Sequence, residues 1–187
     1  YGYPFELFDG HLYPKAGWVL HMLRRRLGDD LFWKSMRLYL RRHAPGVAET
    51  IDLVRCFEDV SGKSLGRYFD QWIFSPGHPQ LDGDAAWDGE NAWVRLTLKQ
   101  TQKRDDGTPV FHLPLRVEAR LENGRIIGAT FEMDQADQTF YLPLPGSPVW
   151  VLLDPEGAVL RETKLTVPVA WREAALLGPT RDGRVSA

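Results

Sequence analysis

The sequence predicts an α+β chain in which a helical bundle is followed by an antiparallel β-sandwich. Two observations carry this. Apolar residues recur at helical spacing before Pro76 and at alternate positions from about Ala92 onward. The change falls in the Pro- and Gly-bearing stretch Pro76–Leu81, where composition marks a link. Charge shifts at the same place, from +2 over residues 1–78 to −4 over residues 79–187.

The first helix is expected to open at Pro14, because proline at the first helical position gives up an N–H that has no partner there. Ala16, Val19, Leu20, Leu23 and Leu27 then make one apolar stripe. Arg24, Arg25 and Arg26 complement the carboxyl end of the helix dipole, and Gly28 stops the helix. Asp29 or Asp30 can cap a second helix facing inward through Phe32, Met36, Tyr39 and Leu40 and ending at Pro45-Gly46. Thr50 caps a third, with Leu53, Val54, Phe57 and Val60 inward. Ser64 caps a fourth, with Leu65, Tyr68, Phe69, Trp72 and Ile73 inward. Short connections make neighbouring helices roughly antiparallel.

The strands read from the alternations Ala92-Val94-Leu96-Leu98 and Phe111 through Leu121, then Ile126–Met133, Thr139–Leu144, Val149–Leu153 and Ala158–Leu165. Asp105-Asp106-Gly107 and Asn123-Gly124 are expected to be hairpin turns, and Asp154-Pro155-Glu156-Gly157 to turn the last pair. Pro114 belongs on an edge or at a bulge. Short strands at this spacing predict a sandwich. Residues from Pro168 to Leu177 look helical again.

Composition narrows the function. A chain of 187 residues that is 43% hydrophobic and 26% charged is neither a disordered tail nor a disulfide-dense mini-protein. A net charge of −2 gives no reason to expect nucleic acid. The longest apolar run, Val149–Leu153, is far short of the ~20 residues of a membrane span. The lone Cys56 cannot form an intrachain disulfide and suits a reducing, cytoplasmic setting. The first residue is Tyr1 and no signal peptide precedes the fold, so the chain is expected to be a piece of something longer.

No two of the histidines at 11, 21, 43, 78 and 112 are four apart, so there is no H-E-x-x-H, and one cysteine excludes a cysteine-rich zinc site. There is no G-x-S-x-G, no phosphate loop and no G-x-G-x-x-G. No metal or cofactor ligands are therefore assigned. His11 and His21 read as surface or satisfied polar residues, His78 as part of a turn, His112 as the wet face of a strand, and the arginine run as a solvated helix end. Trp87, Trp93 and Trp150 read as packing, with a carbohydrate platform as the rival. Tyr13 stands before a proline, which favours an extended backbone there, and at a helix entrance. Its hydroxyl either packs and hydrogen-bonds like most tyrosines or projects into a cleft as a fixed donor to a developing oxyanion.

The string FELFDGHLYPKAGWVLHMLRRRLGDDLFWKSMRLYLRRH, followed by FDQWIFSPGHP, resembles the aminopeptidase-N-like zinc metallopeptidases. Tyr13-Pro14-Lys15-Ala16-Gly17 looks like the family's tyrosine-x-Lys-Gly-Ala, with the small pair swapped, and Trp72, Gly77 and Pro79 look like the close of its catalytic domain. TKLTVPVAWREAALLGPTRDGRVSA is similar to the beginning of its helical repeat domain. The resemblance implies that residues 1–77 are the helical end of a thermolysin-like catalytic domain, 78–166 the β-sandwich and 167–187 the start of a helical domain. It further implies removal of N-terminal amino acids from peptides with zinc held by an upstream catalytic half, and Tyr13 as the only catalytic residue in this chain. The zinc ligands, the general base and the G-x-M-E-N loop are not in this sequence, so the chain alone is expected to be inactive and to bind no zinc. The rivals are a non-catalytic interaction module and a carbohydrate-binding sandwich.

Overall fold

The computed structural model describes Tyr3 and residues 11–177. The other residues of the quoted opening string, and the polar stretch 178–187, lie outside the described residues. The chain forms two compact units, residues 1–77 with 104–109 and residues 78–103 with 110–187.

In the first unit the helical path is already formed at His11. His11–Lys15 is a π-helical turn that runs into α1 (Ala16–Leu27). This corrects both the start at Pro14 and the extended backbone at Tyr13. Pro14 lies inside this turn, and proline has no backbone N–H to donate there. Val19, Met22, Leu23 and Leu27 are buried along α1. Gly28, at φ 83°, ends it and donates its N–H to the Arg24 carbonyl at 2.8 Å. A side chain at Gly28 would be strained by that positive φ.

α2 (Asp29–His43) follows at once, with Gly28 rather than Asp29 or Asp30 as the cap. The Asp29 carboxylate is taken by Arg24 instead. Phe32 and Ser35 are the buried residues of α2, whereas Leu40, expected inward, is 56% exposed. The cap of α3 (Thr50–Ser61) lies one residue earlier than expected, at Glu49, whose N–H donates to the Asp52 carboxylate at 3.0 Å. α4 (Gly66–Phe69) opens after Leu65, not at Ser64, and the Leu65 N–H donates to Glu58 Oε1 at 2.7 Å. It continues into a second π turn, Asp70–Phe74. The wider winding of that turn changes the angular step per residue. Trp72 stays buried while Ile73, also expected inward, faces out. Leu23, Leu27, Phe32, Val54, Phe57, Leu65 and Phe69 form the core of this unit.

The second unit has β1 (Gln80–Asp88), β2 (Trp93–Gln100), β3 (Leu113–Leu121), β4 (Ile126–Met133), β5 (Asp137–Pro143), β6 (Pro148–Leu153) and β7 (Glu162–Thr166), then α5 (Val169–Leu177). They form two sheets, β5-β2-β1-β7 and β4-β3-β6. The inward alternations of β2 and β3 hold: Val94, Leu96, Leu98, Leu113, Leu115, Val117, Ala119 and Leu121 are buried. Ala92 does not begin the strand; it takes a positive φ of 55°.

The sheets depart from the sequence reading in four places. β1 was not visible in the sequence, yet it pairs with both β2 and β7 inside its sheet. The β1–β7 pairing is parallel, so the sandwich is not wholly antiparallel. Asp105–Gly107 joins strands of different sheets and is no hairpin turn, and the same is true of Asp154–Gly157. Asn123-Gly124 does make the β3–β4 hairpin, with Gly124 at φ 81°. Pro114 sits in the middle strand of its sheet, but β6 pairs only from Val117 onward, so β3 is locally an edge there.

Candidate functional site

The first π turn and the outer face of α1 carry the candidate site. Tyr13 is 63% exposed, and its ring borders an open groove of about 370 Å³ with Pro14, Gly17, Trp18 and His21. Trp18 and His21 meet edge to face, with ring centroids 5.6 Å apart. The groove is lined mostly by apolar and aromatic surface, and Gly17 leaves it open because nothing lies within 4 Å of where its Cβ would be.

Two long-range hydrogen bonds hold this end of α1. Lys15 Nζ donates to the Ser75 carbonyl at 3.4 Å. Tyr68 Oη donates to the Val19 carbonyl at 2.6 Å. Burial lowers the Lys15 ammonium and raises the Tyr68 phenol from their ordinary pKa values. Neither tie follows from the local sequence. Lys15 stands two residues from Tyr13 in the quoted motif, which was the available signal; nothing local marks Tyr68 or Ser75.

A second, more polar hollow of about 490 Å³ lies farther along α1, lined by His21, Arg24, Arg25, Gly28 and Asp29. Arg24 grips Asp29 through Nε and Nη2, each at 2.7 Å, and its guanidinium lies 5.5 Å from the Trp33 ring. The hydrogen bond from Arg24 holds the Asp29 carboxyl below its usual range. Arg26 lies over Tyr68 at 6.0 Å. Arg24 and Arg26 are thus engaged within the unit.

The remaining candidates are scattered. His78 pairs with Glu162 at 3.0 Å and His112 with Glu132 at 2.9 Å, both on the surface of the second unit. The His11 side chain lies outside what is described. Among the described residues no group of three or more His, Cys, Asp or Glu is placed to hold a metal ion. No described helix is long and apolar enough to cross a membrane. Trp150 is buried, and half-buried Trp93 leans on Tyr141 at 60° with centroids 5.0 Å apart, so these two tryptophans do not form the flat exposed pair a sugar platform needs.

The family model described as "Peptidase family M1 domain" matches residues 3–72. This segment is similar to the peptidase family M1 domain. Aminopeptidase N of Lactococcus lactis subsp. lactis is 31% identical over 114 residues, which are 58% of this chain and 13% of that protein. Aminopeptidase N of Escherichia coli (strain K12) is 28% identical over 142 residues, 69% of this chain and 16% of that protein. The chain therefore spans only a small part of these aminopeptidases. The crystal structure of Legionella pneumophila aminopeptidase A in complex with aspartic acid covers 96% of this chain with a TM-score of 0.76, while this chain covers 21% of that one. At 16% identity that likeness shows the fold alone. The M1 match includes the first π turn, Tyr13, Lys15 and all of α1 to α4.

Proposed function

We propose that this chain is part of a zinc-dependent aminopeptidase that removes N-terminal amino acids from peptides, and that Tyr13 is its oxyanion donor. The observation that carries the reading is an exposed phenol at the head of α1, bordering a groove, inside the segment that matches peptidase family M1. A phenol O–H aimed where negative charge develops on the attacked carbonyl is stronger in the transition state than in the ground state. Zinc would supply Lewis-acid and water-activating chemistry from ligands on an upstream catalytic half. Peptide is the substrate, that half is the partner, and the chain by itself is inactive. Buried, unpaired Cys56 supports a reducing, cytoplasmic setting.

Replacing Tyr13 by Phe in the complete enzyme deletes one donor and leaves the ring. Turnover should fall by about 10²–10³, while bound zinc stays constant. Wild-type turnover in Tyr13→Phe removes Tyr13 from the chemistry. A purely non-catalytic module predicts no peptide hydrolysis by the complete protein at all.

A further inference from the structure

Tyr13 rides on a π turn, a winding that is rarely stable by itself and that departs from the α-helix it feeds. Something outside the turn has to hold it. Its last residue, Lys15, reaches sixty residues along the chain to the Ser75 carbonyl. Ser75 is the C-cap of the second π turn, where the backbone turns to an extended conformation and its carbonyl is free of the helical ladder. An ammonium is the natural partner there. The Tyr68–Val19 bond holds α1 one turn farther on. Tyr13 is 63% exposed on the turn that Lys15 ends, so the path of that turn sets where its side chain leaves the backbone.

We propose that Lys15 is a positioning residue for Tyr13: its bond to the Ser75 carbonyl fixes the π turn so that the phenol is presented at the groove. The inference rests on the reading of Tyr13 as oxyanion donor. The roles differ: Tyr13 donates a hydrogen bond to the substrate oxygen, and Lys15 never touches substrate.

The test uses the complete enzyme carrying Lys15→Met, Lys15→Gln, Lys15→Arg, Tyr13→Phe and the double change Tyr13→Phe/Lys15→Met. Lys15→Met should lower kcat about 10- to 100-fold, the scale of a misplaced catalytic group, and leave KM unchanged. Lys15→Gln, too short to reach Ser75, should do the same, which keeps the test open if the Met variant folds poorly. Lys15→Arg, with its long stem and donors, should recover most of kcat. In the Tyr13→Phe background, Lys15→Met should cost nothing further, because the group it positions is gone. Amide hydrogen exchange at residues 15–17 should quicken in Lys15→Met. Wild-type kcat in Lys15→Met and Lys15→Gln beside an impaired Tyr13→Phe overturns the inference and leaves the Tyr13 reading standing. An equal loss with and without the phenol also overturns it. Wild-type kcat in Tyr13→Phe overturns both.

Discussion

Asp154 ties the end of β6 to the run into β7, and it can be broken with a calculable cost. Its side chain is 1% exposed and pairs with Arg161, whose side chain is 13% exposed. It also accepts the N–H groups of Ala158 at 2.8 Å and Val159 at 3.0 Å. Arg161 is already strained for partners: Nη1 and Nη2 reach the Val159 and Leu153 carbonyls, but Nε has none among the described residues. Removing one member of such a buried pair costs roughly 3–5 kcal/mol, because the other charge is left without compensation. Asp154 also has φ 48°, a region that Asp and Asn tolerate better than Ala, which adds up to about 1 kcal/mol. Asp154→Ala should therefore destabilise the second unit by roughly 3–6 kcal/mol. Asp154→Asn keeps the backbone preference and one oxygen, and should cost about 1.5–3 kcal/mol. Adding Arg161→Met to Asp154→Ala should restore part of the loss, since the orphaned charge goes with it. Because the chain has two units, the assay is native-state hydrogen exchange at the buried β3 amides of Val117 and Ala119 rather than a single melting curve. A cost below about 1 kcal/mol for Ala, or equal costs for Ala and Asn, would refute the reasoning.

Gly83→Ala tests the closeness of β1 to β2: the new Cβ would lie 2.2 Å from the Thr97 carbonyl oxygen and 2.8 Å from Leu98 Cδ2. Ladder backbone cannot move aside cheaply, so native-state hydrogen exchange at the buried β2 amides of Val94 and Leu96 should show a loss of about 3 kcal/mol or more, against no more than about 0.5 for Gly146→Ala, where the space is open. Asp106 gives a pH prediction. The hydroxyl and N–H of Thr108 hold its carboxyl below the ordinary range. A depressed carboxyl stabilises above its unfolded value of about 3.9, and that contribution is lost as pH falls through the lower folded value. Thr108→Val should move the Asp106 titration, read by NMR, back toward the ordinary value; an unmoved titration would show that Thr108 is not the cause.

Much of the fold could be read in the chain because local chemistry and final environment agree. Leu23, Leu27, Phe57 and Leu65 lie on helical stripes, and every apolar position of β3 from Leu113 to Leu121 is buried. β1 could not be read. Asp82, Gly83 and Asp84 have poor strand propensity, and the strand exists because neighbours on both sides supply its hydrogen bonds. Leu40 misled because helical periodicity shows that a face is apolar, not that anything covers it. The motif marks Tyr13, yet its backbone is helical rather than extended, because the rule for residues before proline is a local preference that a helical turn overrides.

Periodicity, glycine and turn chemistry act over a few residues, and so helices, hairpin and link were written in the one-dimensional order of side chains. Which sheet each strand joined, that β1 and β7 run parallel, and that Lys15 meets Ser75 depend on groups far apart in the chain. Such pairings cost loop entropy and are repaid only by packing of the folded whole, so no local window contains them.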